Sequence, residues 1–170
     1  MVKRNDIFEI TIEDMLFPNK GVGYIDNKKV IIKGGIIDQR LKIKITKKRK
    51  NKLEGKILEV ITPSPIEIQP KCQHFKYCGG CTSQNLPYEK QLEIKAEQVK
   101  TLLNNAGIQD FQFLGIQPSP LEFRYRNKME FSFGDKVKGG PLELGMHKRD
   151  KFYEIISTTN CQIVDEDFNV

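Results

Sequence analysis

The stretch Leu41-Lys42-Ile43-Lys44-Ile45 alternates strictly between aliphatic and lysine side chains. Successive side chains of a β-strand point to opposite faces, so this pattern predicts a strand with one apolar face and one basic face. The apolar face must be buried against other strands, and the basic face is left for solvent or for an anionic partner.

Four further segments on either side of this stretch also have the pattern of short strands, namely 8–12, 21–25, 30–32 and 52–60. Turn residues separate them, including Asp26-Asn27 and Gly34-Gly35. Five strands of this length with no helical pattern predict an all-β, five-stranded barrel of the oligonucleotide-binding (OB) kind over residues 1–62. Closure into a barrel would protect the strand edges.

The positive charge of the chain is concentrated in this predicted barrel. The chain has 28 Lys and Arg against 22 Asp and Glu, a net charge of +6, and the whole excess lies in the first 70 residues. Such a local excess favours a polyanion such as nucleic acid, although a solvated, lysine-rich hairpin would have the same composition. The predicted phosphate contacts are Lys42, Lys44, Lys47, Lys48, Arg49 and Lys50.

A Pro-rich linker, residues 63–70, leads to a second region with a different composition. Residues 71–170 hold all four cysteines and one clear amphipathic helix, predicted from about Pro87 to Ala106 with a left-handed cap at Gly107. Three later segments predict an antiparallel sheet that packs on this helix, giving an α+β domain. These segments are 124–133, 142–147 and 152–156.

The first of these predicted strands carries a second set of basic residues. Arg124, Arg126 and Lys128 would share its outward face. They are candidates for contacts to RNA phosphates or unpaired bases, and an ordinary sheet surface would explain them equally well.

The cysteines carry the most specific signal for a bound group. Cys72, Cys78 and Cys81 have the spacing C-x5-C-x2-C, and Cys161 follows 79 residues later. No export signal is apparent, which disfavours disulfides. Four cysteines suit either structural zinc or a [4Fe–4S] cluster, and the single C-x2-C pair favours the cluster.

Residues 72–92 closely resemble the cluster segment of the iron–sulfur-type RNA uracil-C5 methyltransferases. That family also has an N-terminal TRAM barrel that ends in a Pro-Ser-Pro-like linker, a Tyr-Arg-Asn-Lys-like strand as in 125–128, and a late cysteine like Cys161. The resemblance implies that Cys72, Cys78, Cys81 and Cys161 hold a [4Fe–4S] cluster.

The resemblance also implies what the complete enzyme does and what this chain lacks. The family methylates C5 of uracil in RNA with S-adenosylmethionine, using a cysteine nucleophile in a C-terminal Rossmann-like domain. No catalytic or S-adenosylmethionine-binding residue is expected here, because the chain stops at Val170, where that domain would begin. We therefore expect a fragment or a naturally short relative.

The expected partner is RNA, with 23S rRNA favoured because a TRAM barrel usually accompanies that substrate, and with tRNA as the alternative. No apolar run is long enough for a membrane helix, and a cytoplasmic protein is expected. Two other functions fit the residues: a stand-alone RNA-binding module with a structural metal, and an electron-transfer protein, which would leave the basic barrel unexplained.

Overall fold

The computed structural model describes residues 2–49 and 52–169, and the chain forms two compact units. The first unit comprises the residues up to Glu67 together with Glu89–Ile116. The second unit comprises Ile68–Tyr88 and the residues from Gln117 onward. Within these described ranges, no helix has the length and apolarity needed to cross a membrane.

The first unit is built on a curled sheet of six strands. Its strand order is β1-β5-β6-β4-β3-β2, and every pairing is antiparallel except that of β4 with β6. The strands are β1 (Ile7–Thr11), β2 (Asp14–Leu16), β3 (Lys20–Ile25), β4 (Lys28–Lys33), β5 (Arg40–Arg49) and β6 (Lys52–Thr62). The two edge strands, β1 and β2, follow each other directly in the chain.

The sequence prediction of five strands is therefore wrong by one. Each predicted strand has a counterpart in the sheet, and the additional strand is β2, which pairs with β3 through Met15 opposite Gly21. Three residues are too few to show an alternating pattern, so β2 is recognisable only from its pairing.

The apolar face of β5 forms the centre of the core of this unit. Leu41, Ile43 and Ile45 are fully buried, as the alternating pattern predicts. They pack with buried aliphatic side chains from the other strands, including Ile12, Ile32 and Leu53. The opposite face of β5 holds Lys42 and Lys44, so burial of the aliphatic face fixes where these lysines point.

The single α-helix of the described residues, α1, spans Tyr88–Asn105, close to its predicted bounds. Gly107 adopts a φ of +79° and its N–H donates to the carbonyl of Asn104, which confirms the predicted left-handed cap. The structure groups α1 with the curled sheet, whereas the sequence predicted that it accompanies the antiparallel sheet.

The contacts of α1 explain this difference. Gln98 is its one buried residue, and its side-chain amide donates to the carbonyl of Met15 in β2. Val99 and Leu102 of the predicted apolar stripe are 44% and 53% exposed. A polar side chain thus makes the buried contact of α1, and apolar periodicity gives no indication of it.

The second unit contains a three-stranded antiparallel sheet in the order β7-β8-β9. Its strands are β7 (Ser132–Asp135), β8 (Leu142–His147) and β9 (Ile155–Ser157), and a short 3-10 helix follows at Glu166–Phe168. The predicted bounds of β8 are confirmed, and β9 lies at the end of its predicted segment.

The prediction of a strand over 124–133 is wrong for most of its length. Arg124 has a φ of +55°, which interrupts an extended chain. The backbone N–H groups of Arg124 and Arg126 donate instead to the carbonyls of Gln162 and Ile163. Regular pairing with β8 begins only at Ser132.

Candidate metal centre and nucleic-acid interface

All four cysteines lie in the second unit and line one small cavity. The cysteines Cys72 and Cys78 are buried, and Cys81 and Cys161 are half-buried. Apolar side chains complete the wall of the cavity, among them Phe75, Met129, Met146 and Ile163. The structure thus brings the late cysteine to the same cavity as the three that are close in sequence.

The loop from Cys72 to Cys81 turns back on itself through its own backbone hydrogen bonds. The N–H groups of Tyr77 and Cys78 both donate to the carbonyl of His74, at 2.9 and 2.7 Å. Gly79 makes a close approach to the end of β8, where a Cβ would lie only 3.0 Å from the carbonyl oxygen of His147. These contacts turn the second and third cysteines toward the cavity.

Two cysteine sulfur atoms accept hydrogen bonds from the protein. The backbone N–H of Gly80 donates to Sγ of Cys78, and the Gln84 side-chain amide donates to Sγ of Cys81, both at 3.3 Å. Gln84 also accepts a hydrogen bond from the N–H of Cys72 at 3.2 Å, so one side chain contacts two of the four cysteines. Hydrogen bonds of this kind stabilise thiolates and orient them for binding.

The side chain of Asn169 holds the backbone of Cys161 through two hydrogen bonds. The backbone N–H of Cys161 donates to Oδ1 of Asn169 at 2.7 Å, and Nδ2 of Asn169 donates to the Cys161 carbonyl at 3.1 Å. This paired contact fixes the peptide that carries the fourth sulfur. Sequence reasoning did not identify Asn169, because an amide eight residues from a cysteine has no motif of its own.

The thiols of Cys78 and Cys81 are harder to ionise than ordinary cysteines. Burial raises the pKa of Cys78, and the Gly80 N–H and the charge of Arg149 act in the opposite direction. Burial likewise raises the pKa of Cys81, opposed by the hydrogen bond from Gln84. The other cysteines of the set raise both pKa values further, because four neighbouring thiolates repel one another. A bound cation would remove this repulsion.

The donors around this cavity fit an iron–sulfur cluster. Four sulfur ligands, an apolar wall and two hydrogen bonds to sulfur are the features that such clusters use. The cavity is also lined by Thr158, whose buried Oγ1 has no hydrogen-bond partner among the described residues. This hydroxyl is available as a donor to a group bound there.

A single-ion site is not found in the described part of the chain. Across residues 2–49 and 52–169, no three His, Cys, Asp or Glu side chains are arranged to hold one metal ion.

The outer face of β5 and β6 places like charges directly opposite each other. Lys44 is opposite Lys56, and Arg49 is opposite Lys52. Like charges at opposed positions of an antiparallel pair destabilise the sheet. Lys52 and Lys56 were not among the predicted contacts, and their cross-strand register is what adds them to the candidate surface. We call Lys44, Arg49, Lys52 and Lys56 the basic face.

Three of the other predicted lysines lie opposite acidic residues or contact other groups of the protein. Lys42 is opposite Glu59 and Glu9 in the sheet, and Lys47 forms an ion pair with Glu54 at 3.4 Å. Lys48 donates from Nζ to the carbonyl of Val2 at 2.9 Å. Lys50 lies outside the described residues.

The second predicted basic set is exposed and does not form a shared strand face. Arg124 is ion-paired with Glu166, which raises the pKa of Arg124 and lowers that of Glu166. Lys128 is paired with Glu130 at 3.1 Å, and Arg126 lies exposed next to Met129. Their role in binding RNA therefore stays a prediction.

A family model matches part of the first unit. Residues 2–58 match the model of the TRAM domain, and these residues contain β1 to β5 and the first part of β6. The match supports the predicted TRAM region.

Over its full length the chain is related to RNA methyltransferases. It is 47% identical to an uncharacterized RNA methyltransferase of Clostridium acetobutylicum, covering 100% of this chain and 37% of that protein. It is 48% identical to another from Caldanaerobacter subterraneus subsp. tengcongensis, covering 97% of this chain and 36% of that protein. The chain therefore spans little more than a third of the length of these relatives.

A solved structure shares the fold. The tRNA (uracil-54, C5)-methyltransferase of Pyrococcus abyssi, in complex with S-adenosyl-L-homocysteine, matches with a TM-score of 0.60. The match covers 94% of this chain and 34% of that protein, at 20% sequence identity.

Proposed function

We propose that this chain is the RNA-recognition and [4Fe–4S]-binding portion of an S-adenosylmethionine-dependent RNA uracil-C5 methyltransferase. The observation that carries the proposal is the convergence of four cysteines on one cavity in a chain related throughout to RNA methyltransferases. The TRAM domain supports RNA as the partner.

The [4Fe–4S] cluster is proposed from the chemistry of the ligands. Four cysteine thiolates are the usual complement of such a cluster, and Cys72, Cys78, Cys81 and Cys161 are the residues that would hold it. When bound, the cluster would link segments that are far apart in sequence and so contribute to the stability of the second unit. With all four ligand positions filled by cysteine, a structural role is favoured, and redox sensing is the alternative.

RNA binding is proposed for the basic face. The electrostatic cost of Lys44 opposite Lys56 and of Arg49 opposite Lys52 is relieved when phosphates lie between the paired cations. Lys42, Lys47 and Lys48 of β5 are proposed as further contacts, and so is Lys50, which lies outside the described residues. Arg124, Arg126 and Lys128 are proposed as a second contact region.

The complete enzyme is proposed to form 5-methyluridine. A nucleophilic cysteine and the methyl donor site would be supplied by sequence outside these 170 residues, since the chain spans only 36–37% of its relatives. The target uracil must leave its base stack to be methylated, so the RNA around it has to be bound and unfolded. Binding this RNA is the role assigned to the present chain, with 23S rRNA as the favoured substrate and tRNA as the alternative.

Fluorescence anisotropy with labelled single-stranded RNA tests the proposed function. The anaerobically purified protein should bind the RNA with an affinity that falls steeply as KCl is raised, because counterions are released from the phosphates. Unlabelled 23S rRNA fragments should compete better than tRNA or single-stranded DNA of equal length. RNA binding that is absent at low salt, or is independent of salt, would contradict the proposal.

A further inference from the structure

The residues that follow β8 are bound along the backbone of the cysteine loop. The N–H of Gly79 donates to the carbonyl of His147 at 2.9 Å, and the N–H of Arg149 donates to the carbonyl of Tyr77 at 2.6 Å. Between these bonds, Cys78 and Lys148 form an antiparallel bridge. A segment outside the cysteine motif thus supports the loop from one side.

The Arg149 guanidinium makes the most specific contact in this segment. Its NH2 group donates to the carbonyl of Phe75 at 2.9 Å and to that of Cys81 at 2.7 Å. Its Cζ also lies 5.2 Å from the centroid of the Phe75 ring, a cation–π distance. One half-buried side chain therefore joins two points of the loop that lie on either side of Cys78.

The positive charge of Arg149 also lies beside the third cysteine. Its Nη2 donates to the carbonyl of Cys81 at 2.7 Å, so a cation is held next to the peptide that carries this cysteine. The same charge would favour the more negative, reduced state of any cluster at this position, since net charge and hydrogen bonding near the sulfurs set cluster potentials.

We propose that Arg149 is a positioning residue for the iron–sulfur centre: it holds the Phe75 and Cys81 carbonyls so that the Cys72–Cys81 loop is arranged for binding, and it raises the reduction potential of the cluster. This inference rests on the proposed function, from which it takes the bound group to be a [4Fe–4S] cluster. Lysine keeps the charge of Arg149 but lacks the planar guanidinium, which lies against the Phe75 ring while one of its nitrogens donates to both carbonyls.

The test compares Arg149→Gln, Arg149→Lys and a control, Lys151→Gln, which removes a neighbouring cation that is paired with Glu154 on the exposed surface. Iron release to a chelator is timed in each anaerobically purified protein, and the midpoint potential is measured by titration followed by electron paramagnetic resonance. Arg149→Gln should release iron roughly 10- to 100-fold faster than wild type and have a more negative potential. Arg149→Lys should release iron faster but keep a potential near that of wild type, and the control should match wild type in both.

Wild-type release rate and potential in Arg149→Gln would overturn the inference while the proposed function stands. If Arg149→Gln does not fold, Arg149→Lys decides, and a wild-type release rate in that variant would overturn the positioning role. Wild-type protein without iron and sulfide would instead refute the proposed function, and this inference with it.

Discussion

Cys78 lies opposite Lys148 in an antiparallel bridge between the cysteine loop and the end of β8. The loop that holds three cysteines is therefore fixed by a segment far along the chain, and Cys161 reaches the same cavity from later still. The cavity exists only when the second unit is folded. Binding of a group in this cavity and folding of the second unit are thus thermodynamically linked.

Removal of the bound metal should loosen the second unit and leave the curled sheet intact. Hydrogen exchange measured before and after chelation should show lost protection at Gly79 and Arg149, whose N–H groups bond across the loop. Ile43, fully buried in the curled sheet, serves as the internal control and should keep its protection. Unchanged exchange at Gly79 and Arg149 would mean that the loop is held without the metal.

Replacing Lys44 and Lys56 together by Ala should weaken RNA binding and flatten its salt dependence. Each lost contact to a single-strand phosphate lowers the slope of log K against log salt by about 0.7, so the double variant should lose about 1.4. Binding titrations at several KCl concentrations measure this slope.

The matched control is Lys90→Ala with Lys100→Ala, which removes the same charge from α1, where each lysine is paired with a glutamate. The same loss of slope in both double variants would show that the effect depends on total charge and not on the basic face.

Ile43 of β5 lies in the hydrophobic core and has no exposed surface. Ile43→Ala should lower the free energy of unfolding by about 2–5 kcal/mol, since it removes buried methyl groups and leaves a cavity. Urea denaturation followed by circular dichroism measures the change. Leu58→Ala, at a position that is 49% exposed in β6, is the control and should change stability much less.

The alternating pattern of Leu41–Ile45 was sufficient to predict β5, because one face of that strand is buried and the other is not. The same reasoning failed for 124–133, where alternation is present but Arg124 adopts a left-handed conformation and the backbone pairs with 162–164. Periodicity records which side chains alternate, and it does not record which backbone partner is available.

The residues of the candidate site could likewise be predicted from sequence only in part. The spacing of Cys72, Cys78 and Cys81, together with the resemblance, predicted the cavity-lining cysteines. Spacing could not predict Gln84, Asn169 or Arg149 as their supports, because each acts through a peptide group or a sulfur that the folded chain brings near. Likewise, Lys56 became a candidate only through its register with Lys44.

Gln84 offers a separate test of the sulfur environment. Gln84→Ala removes the hydrogen bond to Sγ of Cys81 and should shift the cluster potential to a more negative value, since such bonds stabilise the reduced state. Potentiometric titration measures the shift, with Gln117→Ala at an exposed position as the control. Equal potentials in wild type and Gln84→Ala would exclude a role of this hydrogen bond in tuning the centre.

In this account, four cysteine sulfurs share one iron–sulfur centre. The most direct test measures the iron and acid-labile sulfide content of anaerobically purified wild type and of Cys161→Ala. Wild type should be brown and contain about four irons and about four sulfides per chain. Cys161→Ala should lose most of both, whereas Thr159→Ala, two residues away, should match wild type. Colourless wild-type protein with one zinc per chain and no sulfide, or full iron content in Cys161→Ala, would contradict the account.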